Sequence, residues 1–414
     1  MRSEPYIKGK RVGYSIVLVT LDAHAAGPCY VAARNLGSEF PGLSVGVYAA
    51  AEWGESPASL DRARAAVLGA DIVLVNLLFL EEHVKAIMPQ LLQKRDECDA
   101  MVGVISDAAI VKLTRMGSLD MSVPQSNMMA LLKRLRGSSK PSAETGQKKM
   151  RMLRRLPKIL KYIPGKAKDL RAWFMVMQYW LAGSDDNVEA MLRFLISRYC
   201  HIESWRGGIS PEPIEYPEVG IYHPDIEGSI TTDIAKLPVL PKAKSTVGLL
   251  LMRSYVLSSD TAHYDAVIRS LEGRGMRVIP AYAGGLDGRP AIQAFFKKSG
   301  VTEIDALVSL TGFSLVGGPA YNDSEAAVKE LKALDVPYIA AHPLEFQTLE
   351  QWDRSSQGLG PIETTMLIAL PELDGATNPT VFAGRHGESS IGSDRSGAVV
   401  GNPMAPCHER IEKL

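Results

Sequence analysis

Short, almost wholly apolar runs alternate with amphipathic stretches along most of this chain, and that alternation restricts the fold more than any other feature. Val12 to Thr20 is nearly continuously apolar, the pattern of a strand buried on both faces. Leu43 to Ala50, Ile72 to Leu77 and Ala100 to Ile105 repeat it. Between and after them, Cys29 to Glu39, Ser59 to Leu68, Glu81 to Arg95 and Asp107 to Met116 read as helices. Strands alternating with helices predict a parallel sheet with right-handed crossovers. This first α/β domain is expected over residues 1–123.

The pattern changes at Pro124. From Lys133 to Arg171 there are 14 Lys or Arg against two acids, Glu144 and Asp169. Met150 to Tyr162, Ala167 to Ala182 and Asp185 to Arg198 read as helices, the last with Ser184 as N-cap. Residues 124–202 are therefore expected to be a basic helical insertion. Residues 203–245 are rich in Pro and Gly and read as an extended surface connector.

Strand and helix signals return at Thr246. Val247 to Met252, Arg277 to Tyr282, Ala306 to Ser309 and Pro337 to Ala341 read as strands. Asp260 to Glu272, Arg289 to Ser299, Ser324 to Leu334 and Leu349 to Arg354 read as helices. Thr364 to Leu370 suits a strand or a buried helix. The expected fold class is α/β, with two Rossmann-like or flavodoxin-like parallel-sheet domains flanking the basic insertion. The second domain spans 246–385, and 386–414 is expected to be a poorly ordered tail.

Composition narrows the function less than the pattern does. Lys plus Arg and Asp plus Glu are 46 each, so net charge selects no partner. No nucleic-acid motif accompanies the basic segment, and no GxGxxG or GxxxxGK[ST] follows a strand. Four scattered cysteines make no disulfide framework. Met1 to Arg11 is polar and unlike a signal peptide. Ile72 to Leu80, among the longest apolar runs, is too short to span a bilayer. A cytoplasmic location is expected, with any membrane contact peripheral.

Several segments carry a resemblance. They are Gly248-Leu-Leu-Leu-Met-Arg253-Ser-Tyr255, His263-Tyr264, Gly275 to Tyr282, Ser309 to Pro319 and Ala341-His342-Pro343-Leu344. Together they resemble the family uniting the H subunit of magnesium chelatase with the large subunit of cobaltochelatase. Leu18 to His24 and Gly220 to Asp225 are similar to the magnesium branch, and Met404 to Glu412 also resembles a segment of the family. The resemblance implies a protein that binds protoporphyrin IX and works with two ATPase-type partner subunits. Those partners use ATP, and Mg²⁺ enters as substrate; this chain itself is expected to bind no cofactor. It also implies a longer protein, of which this chain is the N-terminal portion. A regulatory module that binds tetrapyrrole or docks partners without catalysis is the alternative.

Chelation needs an apolar slot for a flat macrocycle, a base for two pyrrole protons and hard oxygen ligands for Mg²⁺. Parallel sheets bind ligands beyond the carboxyl ends of their strands. The substrate-binding candidates there are Arg253, Tyr255, Thr311, Phe313 and Ser314. Arg253 could pair with a propionate or make a structural salt bridge. His342 and Glu345 are the candidates for proton abstraction, against a purely loop-anchoring histidine. No metal-ligand set is expected. In the first domain Asp22, His24 and Asn76 could line a pocket, against a structural role. The basic helix could dock an acidic partner, touch anionic lipid or form a solvated face over the sheet domains.

Overall fold

The apolar runs become the central strands of two mixed sheets in the computed structural model, which describes residues 13–21, 26–54, 57–123, 167–318, 321–387, 391–393 and 399–414. The first sheet comprises β1 (Tyr14–Thr20), β2 (Leu43–Ala49), β3 (Ile72–Asn76), β4 (Ala100–Val104), β5 (Arg115–Met116) and β6 (Leu119–Asp120). Their spatial order is β2-β1-β3-β4-β5-β6. The first four are parallel and the last two antiparallel.

Side-chain alternation assigns each face of this sheet its helices. Ile16, Leu18, Ile72, Leu74, Val102 and Val104 bury against α1 (Ala26–Leu36), α5 (Ala167–Ala182) and α6 (Asp185–Tyr199). Val17, Val19, Val73, Val75 and Met101 bury against α2 (Pro57–Gly69) and α3 (Glu81–Lys94). Both faces are covered, which is why the strands read as unbroken apolar runs rather than as alternating ones.

The helix expected from Asp107 to Met116 is shorter. Only α4 (Ala108–Lys112) forms, capped by the Asp107 carboxylate, which accepts from the Ala109 N–H at 2.7 Å. The Thr114 hydroxyl accepts from the Gly103 N–H at 3.0 Å and donates to the Gly103 carbonyl at 3.3 Å. This pins the chain beside β4. Gly117 then takes φ +57° and the chain doubles back as β5 and β6.

The basic helical insertion expected over 124–202 divides. Its basic part, residues 124–166, lies outside the described residues. Helices α5 and α6 do not stand apart: Phe174, Val176, Leu192 and Leu195 share one core with α1 and the first sheet. Trp173 Nε1 donates to the Gly103 carbonyl at 2.9 Å. The Ser184 cap is present, its hydroxyl accepting from the Asn187 N–H at 3.3 Å.

The second sheet comprises β7 (Val219–Tyr222), β8 (Ile230–Thr231), β9 (Ser245–Met252), β10 (Met276–Ala283), β11 (Ala306–Ser309), β12 (Tyr338–Pro343), β13 (Thr377–Arg385) and β14 (Met404–Pro406). Its order is β14-β13-β12-β11-β9-β10-β7-β8. Strands β9 to β13 are mutually parallel, and antiparallel strands close both edges. Within the parallel part the order matches that of the first sheet: the second strand lies on one side of the first, and the later strands on the other. Helices α7 (Arg253–Leu257), α8 (Ala262–Gly273) and α10 (Ser324–Leu334) connect these strands, with α9 (Arg289–Ala291) opening a turn that runs to Phe296. Thr364 to Ala369 is helical, which settles that segment against a strand.

Two expected irregular segments are partly ordered into this sheet. The Pro- and Gly-rich connector supplies β7 and β8, because Gly220 lets the strand lie against the Tyr282 ring. A Cβ there would sit 2.5 Å from the Tyr282 hydroxyl oxygen. The tail supplies β14, which pairs with β13, while Met404 and Ile411 enter the core. Apolar residues too sparse to show a period still anchor it, because each docks singly onto a strand that is already formed.

Candidate functional site

The carboxyl ends of the second sheet's parallel strands gather the sequence candidates into two neighbouring groups. Strand order reverses between β9 and β11, and a cleft opens there, the place where open α/β sheets bind ligands. Met252, Asp287, Ser309, Thr311, Phe313 and Ser314 are among its lining residues. Its interior volume is about 30 Å³, against the ~300–1,000 Å³ of pockets that enclose small-molecule ligands. It is therefore a shallow ledge rather than a slot.

The ledge is rigid. Ser309 and Thr311 hydroxyls hydrogen-bond at 3.0 Å, and the Phe313 N–H donates to Thr311 Oγ1 at 3.3 Å. Gly312 takes φ +70°, turning the chain so that Phe313 stays half-exposed. The Ser314 hydroxyl donates to the buried Asp374 carboxylate, which also accepts from the Leu315 N–H at 2.8 Å. Ser314 is thus committed to holding the loop. Asp287 and Arg289 make a two-pronged ion pair on the opposite wall, at 2.9 and 2.8 Å.

The second group surrounds Tyr255, which is fully buried and donates to Glu345 Oε1 at 2.8 Å. The Arg385 guanidinium lies 6.0 Å from the Tyr255 ring centre and 3.3 Å from Asp260 Oδ2. Arg385 also donates to the Asn402 carbonyl at 2.6 Å, and Asp260 accepts from the Met404 N–H at 2.8 Å. Burial pushes the Tyr255 hydroxyl pKa well up, and the Glu345 charge adds to it. The group remains a neutral donor at any working pH.

Arg253 is not among the residues that line the ledge. Its Nε and Nη2 donate to the carbonyls of Pro217 and Tyr216 at 3.1 and 3.2 Å, clamping the connector to the end of β9. Its partners there are main-chain oxygens rather than the carboxylate of a salt bridge. Burial lowers its pKa from the ordinary arginine value.

His342 ends up 1% exposed, and neither ring nitrogen has a hydrogen-bond partner among the described residues. Burial, helped by the positive charge of Arg410, pulls its pKa down to about 4, so the imidazole is neutral at pH 7. The structure joins Tyr255 to Glu345 and joins Thr311, Phe313 and Ser314 on one ledge. It brings Arg253 and His342 into neither set of hydrogen bonds, although a Cβ at Gly312 of the ledge loop would lie 3.5 Å from the His342 Cβ.

Asp260, Asp374 and Arg385 were missed as sequence candidates. Arg385 closes an apolar run, Val381 to Gly384, and a charge in that position is the one signal that pointed to it. In the first domain, Asp22 and His24 lie outside the described residues, whereas Asn76 is buried at the end of β3. Among the described residues no group of three or more His, Cys, Asp or Glu could hold a metal ion. Among them, too, no helix is long and apolar enough to cross a membrane.

Comparison with known proteins agrees with the segments that carry the resemblance. Residues 177–414 match the CobN/Magnesium Chelatase family, and residues 15–174 match a domain of unknown function. The magnesium-chelatase H subunit of Cereibacter sphaeroides is 60% identical over 408 residues, 97% of this chain and 34% of that protein. The chloroplastic ChlH subunit of Oryza sativa subsp. indica is 37% identical over 337 residues, 76% of this chain and 24% of its own length. Among solved structures, the catalytic subunit of cobaltochelatase from Mycobacterium tuberculosis aligns with 97% of this chain and 26% of its own, at TM-score 0.49 and 18% identity. The chain thus spans about a third of the length of the Cereibacter relative and about a quarter of the rice one. With the family match covering residues 177–414, this chain belongs to the CobN/magnesium chelatase family.

Proposed function

We propose that the chain forms the front part of a magnesium chelatase large subunit, the component that binds protoporphyrin IX for Mg²⁺ insertion in (bacterio)chlorophyll synthesis. The observation that carries this reading is the 60% identity to a magnesium-chelatase H subunit along nearly the whole chain. Mg²⁺ is the substrate, and two ATPase partner subunits supply the driving energy. The basic segment offers those partners, or an anionic membrane surface, a cytoplasmic contact.

On this reading the ledge holds one face of the macrocycle. Phe313 supplies an aromatic plane for stacking, and Thr311 and Ser314 keep its loop in place. Arg253 still has guanidinium N–H groups beyond the two that clamp the connector, and these suit a propionate. Insertion breaks two pyrrole N–H bonds and releases two protons as Mg²⁺ bonds to the four ring nitrogens. Glu345, held by Tyr255, is one proton acceptor; neutral His342 is a second once its surroundings open.

Fluorescence quenching by a soluble porphyrin such as deuteroporphyrin tests the binding claim. Saturable quenching that weakens severalfold in Phe313→Ala is expected. Quenching that never saturates, or is indifferent to Phe313, removes the substrate role.

A second reading, a non-catalytic module that binds tetrapyrrole or docks partners, draws support from the ledge's shallowness and from the lack of a three-ligand metal cluster among the described residues. Adding the chain to a complete chelatase assay separates the two. Inhibition at stoichiometric amounts favours the module. Restored activity in a large subunit lacking its front favours the component.

A further inference from the structure

The first sheet carries a feature that the proposed chelatase role leaves unused. Strand order reverses between β1 and β3, the same topological position at which the ledge opens in the second sheet. The last residues of these two strands are Thr20 and Asn76, one step beyond the registered pair Val19 and Val75. Both are buried, at 0% and 1% exposure. Among the described residues, Thr20 Oγ1 and both polar atoms of the Asn76 carboxamide have no hydrogen-bond partner. Leaving such groups unpaired costs about 1–3 kcal/mol each, so paired strand ends that carry two of them call for a partner.

Alternation shows where they point. Leu18 and Leu74, two residues back, bury against α1, so Thr20 and Asn76 face the same side. Helix α1 begins there, at Ala26, and runs 11 residues with no acidic residue in its first turn. Its first N–H groups, those of Ala26 and Gly27 (Pro28 has none), have no partner within the helix and lie at the end of α1 that faces the strand ends. Among the described residues, a hydroxyl, a carboxamide N–H₂ and a helix N-terminus together make a set of donors without a fixed cation.

We infer that the switch point of the first sheet is a second ligand site, in which Thr20, Asn76 and the N-terminus of α1 take the oxyanion of a small acid, a carboxylate or a phosphate. With neutral donors alone, affinity falls in the millimolar range, and a larger acid gains by covering the exposed Phe79 and Leu80 just beyond β3.

Thermal unfolding of the full chain in inorganic phosphate, acetate and chloride at matched ionic strength tests this. A saturable rise in melting temperature with phosphate or acetate, absent with chloride, is expected, and whichever anion acts names the class. Thr20→Val and Asn76→Leu should each weaken that response at least tenfold, whereas Thr20→Ser should keep it. Should Asn76→Leu fail to fold, the Thr20 pair decides alone. An anion response equal in all folded variants, or no saturable response at all, overturns the site and leaves the two side chains to a buried water.

Discussion

Tyr255, Glu345, Arg385 and Asp260 form a chain of charge and hydrogen bonding whose central members are buried, so removing one member strands another. Arg385→Met removes the ion pair to Asp260 and the Arg385 hydrogen bond to the Asn402 carbonyl. A loss of about 3 kcal/mol is expected from breaking a buried pair, read as a fall in the urea midpoint with unchanged slope. His342 predicts a pH effect of definite sign. Its folded pKa, about 4, lies below the ordinary 6.5. Between those values the unfolded chain therefore binds more protons, and stability falls as pH drops from 6.5 toward 4. His342→Leu should flatten that window relative to the parent; an unchanged urea–pH profile would show that His342 is not buried as a neutral base. At this scale the sequence was only partly readable. Tyr255 and Glu345 lie 90 positions apart, yet both follow strands, and position after a strand was enough to select them. Asp260 and Asp374 sit in no such position, and only tertiary contact gives them partners. Arg253 follows the same rule, but two of its guanidinium N–H groups clamp connector carbonyls, a choice that no local pattern encodes.

Elements were legible wherever burial is two-sided. Strands β1, β3, β4 and β9 declare themselves because both faces meet helices, so nearly every residue is apolar. Edge elements escape that logic: β7, β8 and β14 are short and lean on single anchors such as Met404. A chain ending at residue 401 should therefore lose β14, the Met404 N–H bond to Asp260 and the burial of Ile411. Hydrogen exchange would then rise along β13 while β1 and β3 stay protected; equal protection in both chains would mean that β14 contributes no order. Helix α4 stops early for a related reason, since Gly103 lets the α4 backbone approach β4. A Cβ at Gly103 would lie 2.6 Å from the Ile110 carbonyl oxygen, which cannot swing aside as a side chain can. Gly103→Ala should cost about 1–3 kcal/mol, visible as a lower melting temperature, and the Trp173 emission should change as its bond to the Gly103 carbonyl shifts.

Across the whole molecule, two sheets share one parallel strand order, and each presents polar side chains where that order reverses. The second switch point bears the ledge, whose volume of about 30 Å³ is far below what a macrocycle occupies. A ledge contacts a flat ligand on one face only, so much of its apolar surface stays in water and the hydrophobic gain from the second face is forgone. Relatives that are about three times as long have chain enough to supply the opposing face. If the proposed porphyrin role is right, binding should depend on that added surface. Supplying the remaining two thirds of a homologous H subunit as a separate polypeptide should tighten deuteroporphyrin binding at least tenfold, about 1.4 kcal/mol. Phe313→Ala should then weaken the joint complex more than it weakens the remainder alone. Equal affinity with and without this chain would place the macrocycle wholly outside residues 1–414 and leave the ledge to another ligand or to partner contact.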